Sequence, residues 1–117
     1  MNIVNTIDAA QFEHVLRESD QPVLAEFYAA GCPNCKRFAP FLEEIATHFA
    51  GRVRMLRVNV DDEPVLASDR HIRLVPTLLF LRAGQEVDRV EGAASPYDLE
   101  VKLQRFADVP NQDQVVV

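Results

Sequence analysis

Two stretches of this chain, Val23–Tyr28 and Thr77–Leu81, are apolar at nearly every position over the length of one strand. A strand that faces water on one side alternates apolar and polar residues, so an unbroken apolar run belongs to a strand covered on both faces. The chain carries the helices needed for that cover. Phe12, Val15 and Leu16 lie at helical spacing, as do Phe38, Phe41, Leu42, Ile45, Ala46 and Phe49, and later Leu99, Leu103 and Phe106. Asp8 and Gln11 read as a capping box for the first of these helices, and Ser95-Pro96-Tyr97-Asp98 reads as another for the last, with proline at the first helical position. Further strands are expected at Ile3–Thr6, Val53–Val60 and Val87–Glu91. A short helix running to about His71 is expected after the acidic Asp61-Asp62-Glu63, and Gly51 and Gly84 mark a helix stop and a turn. The element order is β-α-β-α-β-α-β-β-α, which predicts an α/β fold with a mixed central sheet and helices on both faces. At 117 residues there is room for one domain, expected over 1–108 with a loose tail over 109–117.

Within that order, Cys32 and Cys35 are the chain's two cysteines, and they stand at the head of a helical pattern in Gly31-Cys32-Pro33-Asn34-Cys35-Lys36. Positions i and i+3 share a helix face, with Cβ atoms about 5–6 Å apart, close to the reach of a disulfide. A bridge there closes a very small loop and constrains little of the unfolded chain. Such a pair is better suited to forming and breaking than to stapling. A zinc site needs four ligands, and His14, His48 and His71 show no ligand spacing, so no metal is expected.

Twelve basic residues against eighteen acidic ones give a net charge of −6, which argues against a nucleic-acid surface. No segment reaches the roughly 18–20 apolar residues that span a bilayer, so no membrane partner is expected. Met1–Asp8 has neither a basic n-region nor an apolar h-region, and a reducing, cytoplasmic setting follows as the expectation.

The segment Phe27-Tyr28-Ala29-Ala30-Gly31-Cys32-Pro33-Asn34-Cys35-Lys36-Arg37-Phe38-Ala39-Pro40 resembles the Phe-Trp-Ala-x-Trp-Cys-Gly-Pro-Cys-Lys-x-x-Ala-Pro segment of the thioredoxin family. Val75-Pro76-Thr77 resembles that family's cis-proline loop, Arg57–Asp61 resembles its central strand, and Gly84 and Gly92 fall at its glycines. The resemblance spans about residues 3–107. It implies the thioredoxin fold and a protein-disulfide reductase that cycles between a Cys32/Cys35 dithiol and a disulfide. Cys32 is then the nucleophile, favoured as a thiolate at a helix N-terminus, and Cys35 the resolving thiol. Glu26, expected buried with a raised pKa, takes the Cys35 proton; the competing expectation is that it reaches solvent or pairs with Arg57. Gly31, Pro33, Val75, Pro76 and Gly92 form the substrate surface, with a cis Pro76 presenting the Val75 backbone.

The same resemblance implies no bound cofactor. By that resemblance a redox-active disulfide is re-reduced by an external, NADPH-dependent thioredoxin reductase and the substrates are protein disulfides; a monomer is the simplest reading of the oligomeric state, which the sequence leaves open. The chain departs from the family pattern in three places. Gly31 stands for tryptophan, Pro33-Asn34 for Gly-Pro, and Glu26 for aspartate. Pro33, Asn34 and Pro76 are the expected tuners of redox poise, and the uncharged Asn34 implies a potential between the reducing and oxidising extremes of the superfamily. Two other readings stay open: a glutathione-linked or more oxidising enzyme, suggested by Pro33, and a docking module whose thiols are incidental, suggested by Gly31.

Overall fold

The computed structural model describes residues 3–109. Its elements follow the expected order: β1 (Asn5–Thr6), α1 (Ala9–Glu18), β2 (Val23–Tyr28), α2 (Pro33–His48), β3 (Arg54–Asn59), α3 (Pro64–Asp69), β4 (Thr77–Arg82), β5 (Gln85–Glu91) and α4 (Pro96–Asp108). The strands form one sheet in the order β1-β3-β2-β4-β5. β1, β3 and β2 are parallel neighbours, and β4 runs antiparallel to both β2 and β5. Beyond Val109, which caps α4, the tail expected over 109–117 lies outside the described residues.

The two apolar runs are the two strands at the sheet's centre, and each feeds two cores. From β2, Val23, Ala25 and Phe27 pack under α1 and α3 with Phe12, Val15 and Leu66. Leu24 points the other way, into the core formed with Phe38 and Leu42 of α2 and Leu103 of α4. Glu26 and Tyr28 share the face of Leu24 by the two-residue period of a strand. β4 divides in the same way, with Leu79 and Leu81 in one core and Leu78 and Phe80 in the other.

Local chemistry sets the ends of the elements. Asp8 and Gln11 make the full reciprocal box at α1: Asp8 Oδ1 accepts from Gln11 N–H at 2.8 Å, and Gln11 Oε1 accepts from Asp8 N–H at 2.9 Å. At α4, Ser95 Oγ accepts from Asp98 N–H at 3.2 Å, and Asp98 is one methylene shorter than the Glu or Gln that closes a box. β1 is shorter than the expected Ile3–Thr6. Ile3 and Val4 donate their N–H groups to the Glu43 carboxylate of α2, at 2.7 and 3.1 Å, so pairing with β3 is left to Asn5 and Thr6. α3 stops at Asp69, short of the expected His71, whose φ of +56° lies outside the right-handed helix region. The β4–β5 turn places both Ala83 and Gly84 at positive φ, +52° and +80°, as a two-residue hairpin of this hand requires.

Phe80 shows where the sheet's stability concentrates. It is fully buried, and its ring meets Phe106 edge-on with centroids 5.2 Å apart. Replacing Phe80 by Ala is expected to cost about 3–5 kcal/mol, read as a lower urea midpoint at unchanged slope. A loss under about 1 kcal/mol would show that this core relaxes around the cavity.

Candidate active site

The site is built where β2 ends and α2 begins. Cys32 is the N-cap of α2, with extended backbone (φ −87°, ψ 113°), and Pro33 takes the first helical position, where a missing N–H costs nothing. A cap normally offers an oxygen to the free N–H groups of the first turn. Here a sulfur does so: Cys32 Sγ accepts from Cys35 N–H at 3.1 Å. On its other side Cys32 Sγ lies 3.8 Å from the Val75 carbonyl, to which the thiol donates. The sulfur thus sits between an acceptor for its proton and a donor that remains once the proton has gone. Positive charge density from the aligned peptide dipoles of α2 adds to that donor.

The two thiols differ sharply in access. Cys32 is half-buried, whereas Cys35, one turn deeper, is 1% exposed. Burial, first of all, pushes the Cys35 thiol up to about 12. Its hydrogen bond with Cys32 and the negative charges of Cys32 and Glu26 add to the rise, against a main-chain bond with Ala29.

Glu26 is fully buried in β2. Its parallel register partner on β3 is Arg57, whose Nε donates to Glu26 Oε1 at 2.7 Å. The carboxyl is therefore buried, as the first expectation has it, and paired with Arg57, as the second has it, and it does not reach solvent. Oε2 is buried and has no hydrogen-bond partner among the described residues. Burial raises the Glu26 pKa, and the bond and charge of Arg57 oppose that rise without cancelling it.

The loop before β4 closes the site from the other side. The Val75–Pro76 peptide is cis. Pro76 is buried, and its carbonyl accepts from Gly92 N–H at 2.8 Å. Gly92 therefore uses its donor to hold the loop; its φ of +86° favours glycine, and a Cβ there would stand 3.7 Å from Leu74 Cδ1. Gly31, Pro33 and Asn34 are exposed beside Cys32. The Asn34 side-chain oxygen accepts from Arg37 Nη2 one turn on, which turns it along the helix face. Leu74, 44% exposed, flanks the same loop and was not evident from sequence as part of the surface. Tyr28 and Thr6 were missed as well. The Arg57 guanidinium stacks over the Tyr28 ring, 3.7 Å from its centroid, and the Tyr28 hydroxyl bonds Thr6 Oγ1 at 2.9 Å. An arginine on the strand beside a buried acid was the readable signal.

The raised Glu26 pKa has a stability consequence with a definite sign. Between its ordinary value of 4.5 and its raised value, the folded state holds a proton that the unfolded state has released. Stability therefore falls as pH rises through that window. Glu26→Gln keeps an oxygen for Arg57 and removes the ionisation. The variant is expected to match wild type below pH 4.5 and to gain on it as pH rises from there to the raised folded value, measured as the difference in thermal midpoint. A difference that stays flat with pH would contradict the burial argument.

Among the described residues, no group of three or more His, Cys, Asp or Glu side chains could hold a metal ion. No helix among them is long and apolar enough to cross a membrane. A family model described as thioredoxin matches residues 3–105. Thioredoxin of Haemophilus influenzae is 42% identical over 93 residues, covering 80% of this chain and 87% of that protein. Thioredoxin 1 of Nostoc sp. is 35% identical over 105 residues, covering 90% and 98%. The chloroplastic M-type thioredoxin of Pisum sativum is 31% identical over 106 residues, covering 91% and 62%. A chain solved in work on thiol resolution in a yeast mitochondrial 1-Cys peroxiredoxin via glutathione/thioredoxin systems shares the fold. It superposes with a TM-score of 0.78 at 22% identity, covering 87% of this chain and 94% of that one. With its Cys-x-x-Cys pair set at a helix start inside this fold, the chain belongs to the thioredoxin family and is a thiol–disulfide oxidoreductase.

Proposed function

We propose that this protein reduces disulfides in protein substrates, with Cys32 attacking, Cys35 resolving and Glu26 receiving the Cys35 proton. The observation that carries the reading is the asymmetry of the two thiols: one sulfur half-exposed and held by a main-chain donor, the other buried and held protonated. Cys32 thiolate attacks one sulfur of the substrate disulfide. The substrate S–S bond breaks, a Cys32–substrate disulfide forms, and the other substrate sulfur leaves as a thiolate that takes a proton from water. Cys35 then gives its proton to Glu26 and attacks the Cys32 sulfur. The Cys32–Cys35 bond forms, the second substrate thiolate departs and is protonated by water, and Glu26 returns its proton to solvent. Two electrons have passed from the protein dithiol to the substrate.

Pro33, Gly31, Val75, Pro76 and Gly92 shape the surface that receives the substrate. Val75 N–H has no acceptor among the described residues, which suits pairing with an extended substrate strand. Gly31 leaves that surface open, since a Cβ there meets nothing within 4 Å. Pro33, Asn34 and Pro76 tune the potential through what they place, or leave out, around the Cys32 sulfur. No bound cofactor is needed, because electrons return from an external NADPH-dependent thioredoxin reductase. The protein acts as a monomer in the cytoplasm, where a reducing poise keeps the pair as a dithiol, and takes neither nucleic acid nor membrane as partner.

The test is insulin-disulfide reduction with NADPH and thioredoxin reductase, run beside glutathione with its own reductase. Turnover is expected in the first system, lost in Cys32→Ser and slowed at neutral pH in Glu26→Gln. Turnover in the glutathione system alone would replace the reading with a glutathione-linked one. Silence in both, with both thiols titratable, would leave a docking module.

A further inference from the structure

We propose that Tyr28 is a positioning residue for the proton step: its ring, tethered to Thr6, holds the Arg57 guanidinium on one oxygen of Glu26 and leaves the other free for Cys35. The inference rests on the Glu26 role proposed above. It starts from a row of register partners, Thr6 on β1, Arg57 on β3, Glu26 on β2 and Leu78 on β4. Paired residues share a sheet face, so these side chains stand on the side covered by α2. Tyr28 lies two residues beyond Glu26 on that same face. Its ring covers the Arg57 guanidinium at 3.7 Å, and its hydroxyl reaches Thr6 at 2.9 Å. The arginine is gripped from the ring side and from Glu26, through Nε alone.

That grip decides two things. A guanidinium left to itself can fork across both oxygens of a carboxylate. Here one bond forms, and Glu26 Oε2 stays without a partner. Arg57 also stands between the acid and water. Its side chain is 19% exposed, while that of Glu26 is fully buried. Outside Arg57, between β1 and α2, opens a groove of about 540 Å³ lined by Thr6, Lys36, Pro40, Glu43 and Arg57 itself. The titratable or charged groups acting on Glu26 are Arg57 from β3 and Cys35 from α2; β4 supplies the apolar Leu78, and Lys36 lies across the groove. Without the ring, Arg57 relaxes into that groove toward water and Glu43. Glu26 would keep its burial and lose its cation, so it would titrate higher.

The experiment follows the Glu26 side-chain carboxyl by ¹³C NMR against pH in the oxidised protein, a readout independent of turnover. Tyr28→Leu keeps an apolar cover and removes the ring. It is expected to raise the Glu26 midpoint by about one pH unit, a tenfold change in ionisation. Tyr28→Met, unbranched and closer in length, is the second variant and is expected to move it the same way; Tyr28→Phe, which keeps the ring, should restore most of the wild-type value. Arg57→Met should raise the midpoint at least as far. Adding Tyr28→Leu to Arg57→Met should then do nothing more, because the ring acts through the arginine. An unshifted midpoint in both Tyr28→Leu and Tyr28→Met would overturn the proposal, as would a tyrosine effect that persists without Arg57. If the midpoint moves as expected while the pH profile of insulin reduction does not, the clamp stands and the proton role of Glu26 is what fails.

Discussion

One hydrogen bond organises the reactive end of this molecule: Cys35 N–H to Cys32 Sγ, 3.1 Å. It exists because a cysteine occupies the capping position of α2, where a helix has N–H groups and no carbonyls to receive them. The same bond fixes the sulfur's direction and sets its partner one turn deeper. Everything else in the fold serves that placement. β2 delivers the chain to the cap, Phe38, Leu42 and Ile45 anchor α2 to the sheet, and the loop ending at Pro76 faces the sulfur from β4.

The second constraint is burial around an acid. Glu26 sits in a strand with no water-facing side, and its one recorded partner leaves an oxygen unpaired. A buried polar atom without a partner costs about 1–3 kcal/mol, so the position is an expensive one to keep for packing alone. In the proposed reaction that carboxyl takes the proton of the Cys35 thiol, which gives the cost a chemical purpose. Replacing the family's aspartate by glutamate lengthens the reach of the carboxyl, and arginine with its planar fork meets it from β3.

Much of this was legible in the sequence. The unbroken runs Val23–Tyr28 and Thr77–Leu81 required a two-sided sheet, and the structure makes them its central strands. Cys32, Pro33 and Cys35 announced a helix start with reactive chemistry, and burial of Glu26 followed from the strand around it. What escaped was carried by contacts distant in sequence. Glu43 takes the N–H groups of Ile3 and Val4, so β1 lost half its expected length to a side chain some forty residues away. The Tyr28–Thr6 bond and the stacking of Arg57 on Tyr28 were not evident, because both depend on the β1–β3–β2 register. The bond from Gly92 N–H to the Pro76 carbonyl joins the end of β5 to the cis-proline loop across sixteen positions of sequence.

The chemistry depends on the difference between the two sulfurs, and differential alkylation measures it directly. The reduced protein, treated with iodoacetamide at pH 7.5 and mapped by mass spectrometry, is predicted to carry the label on Cys32 alone while folded, with Cys35 labelled only after denaturation. Equal labelling of both cysteines in the folded protein, or earlier labelling of Cys35, would contradict the arrangement on which the chemistry depends.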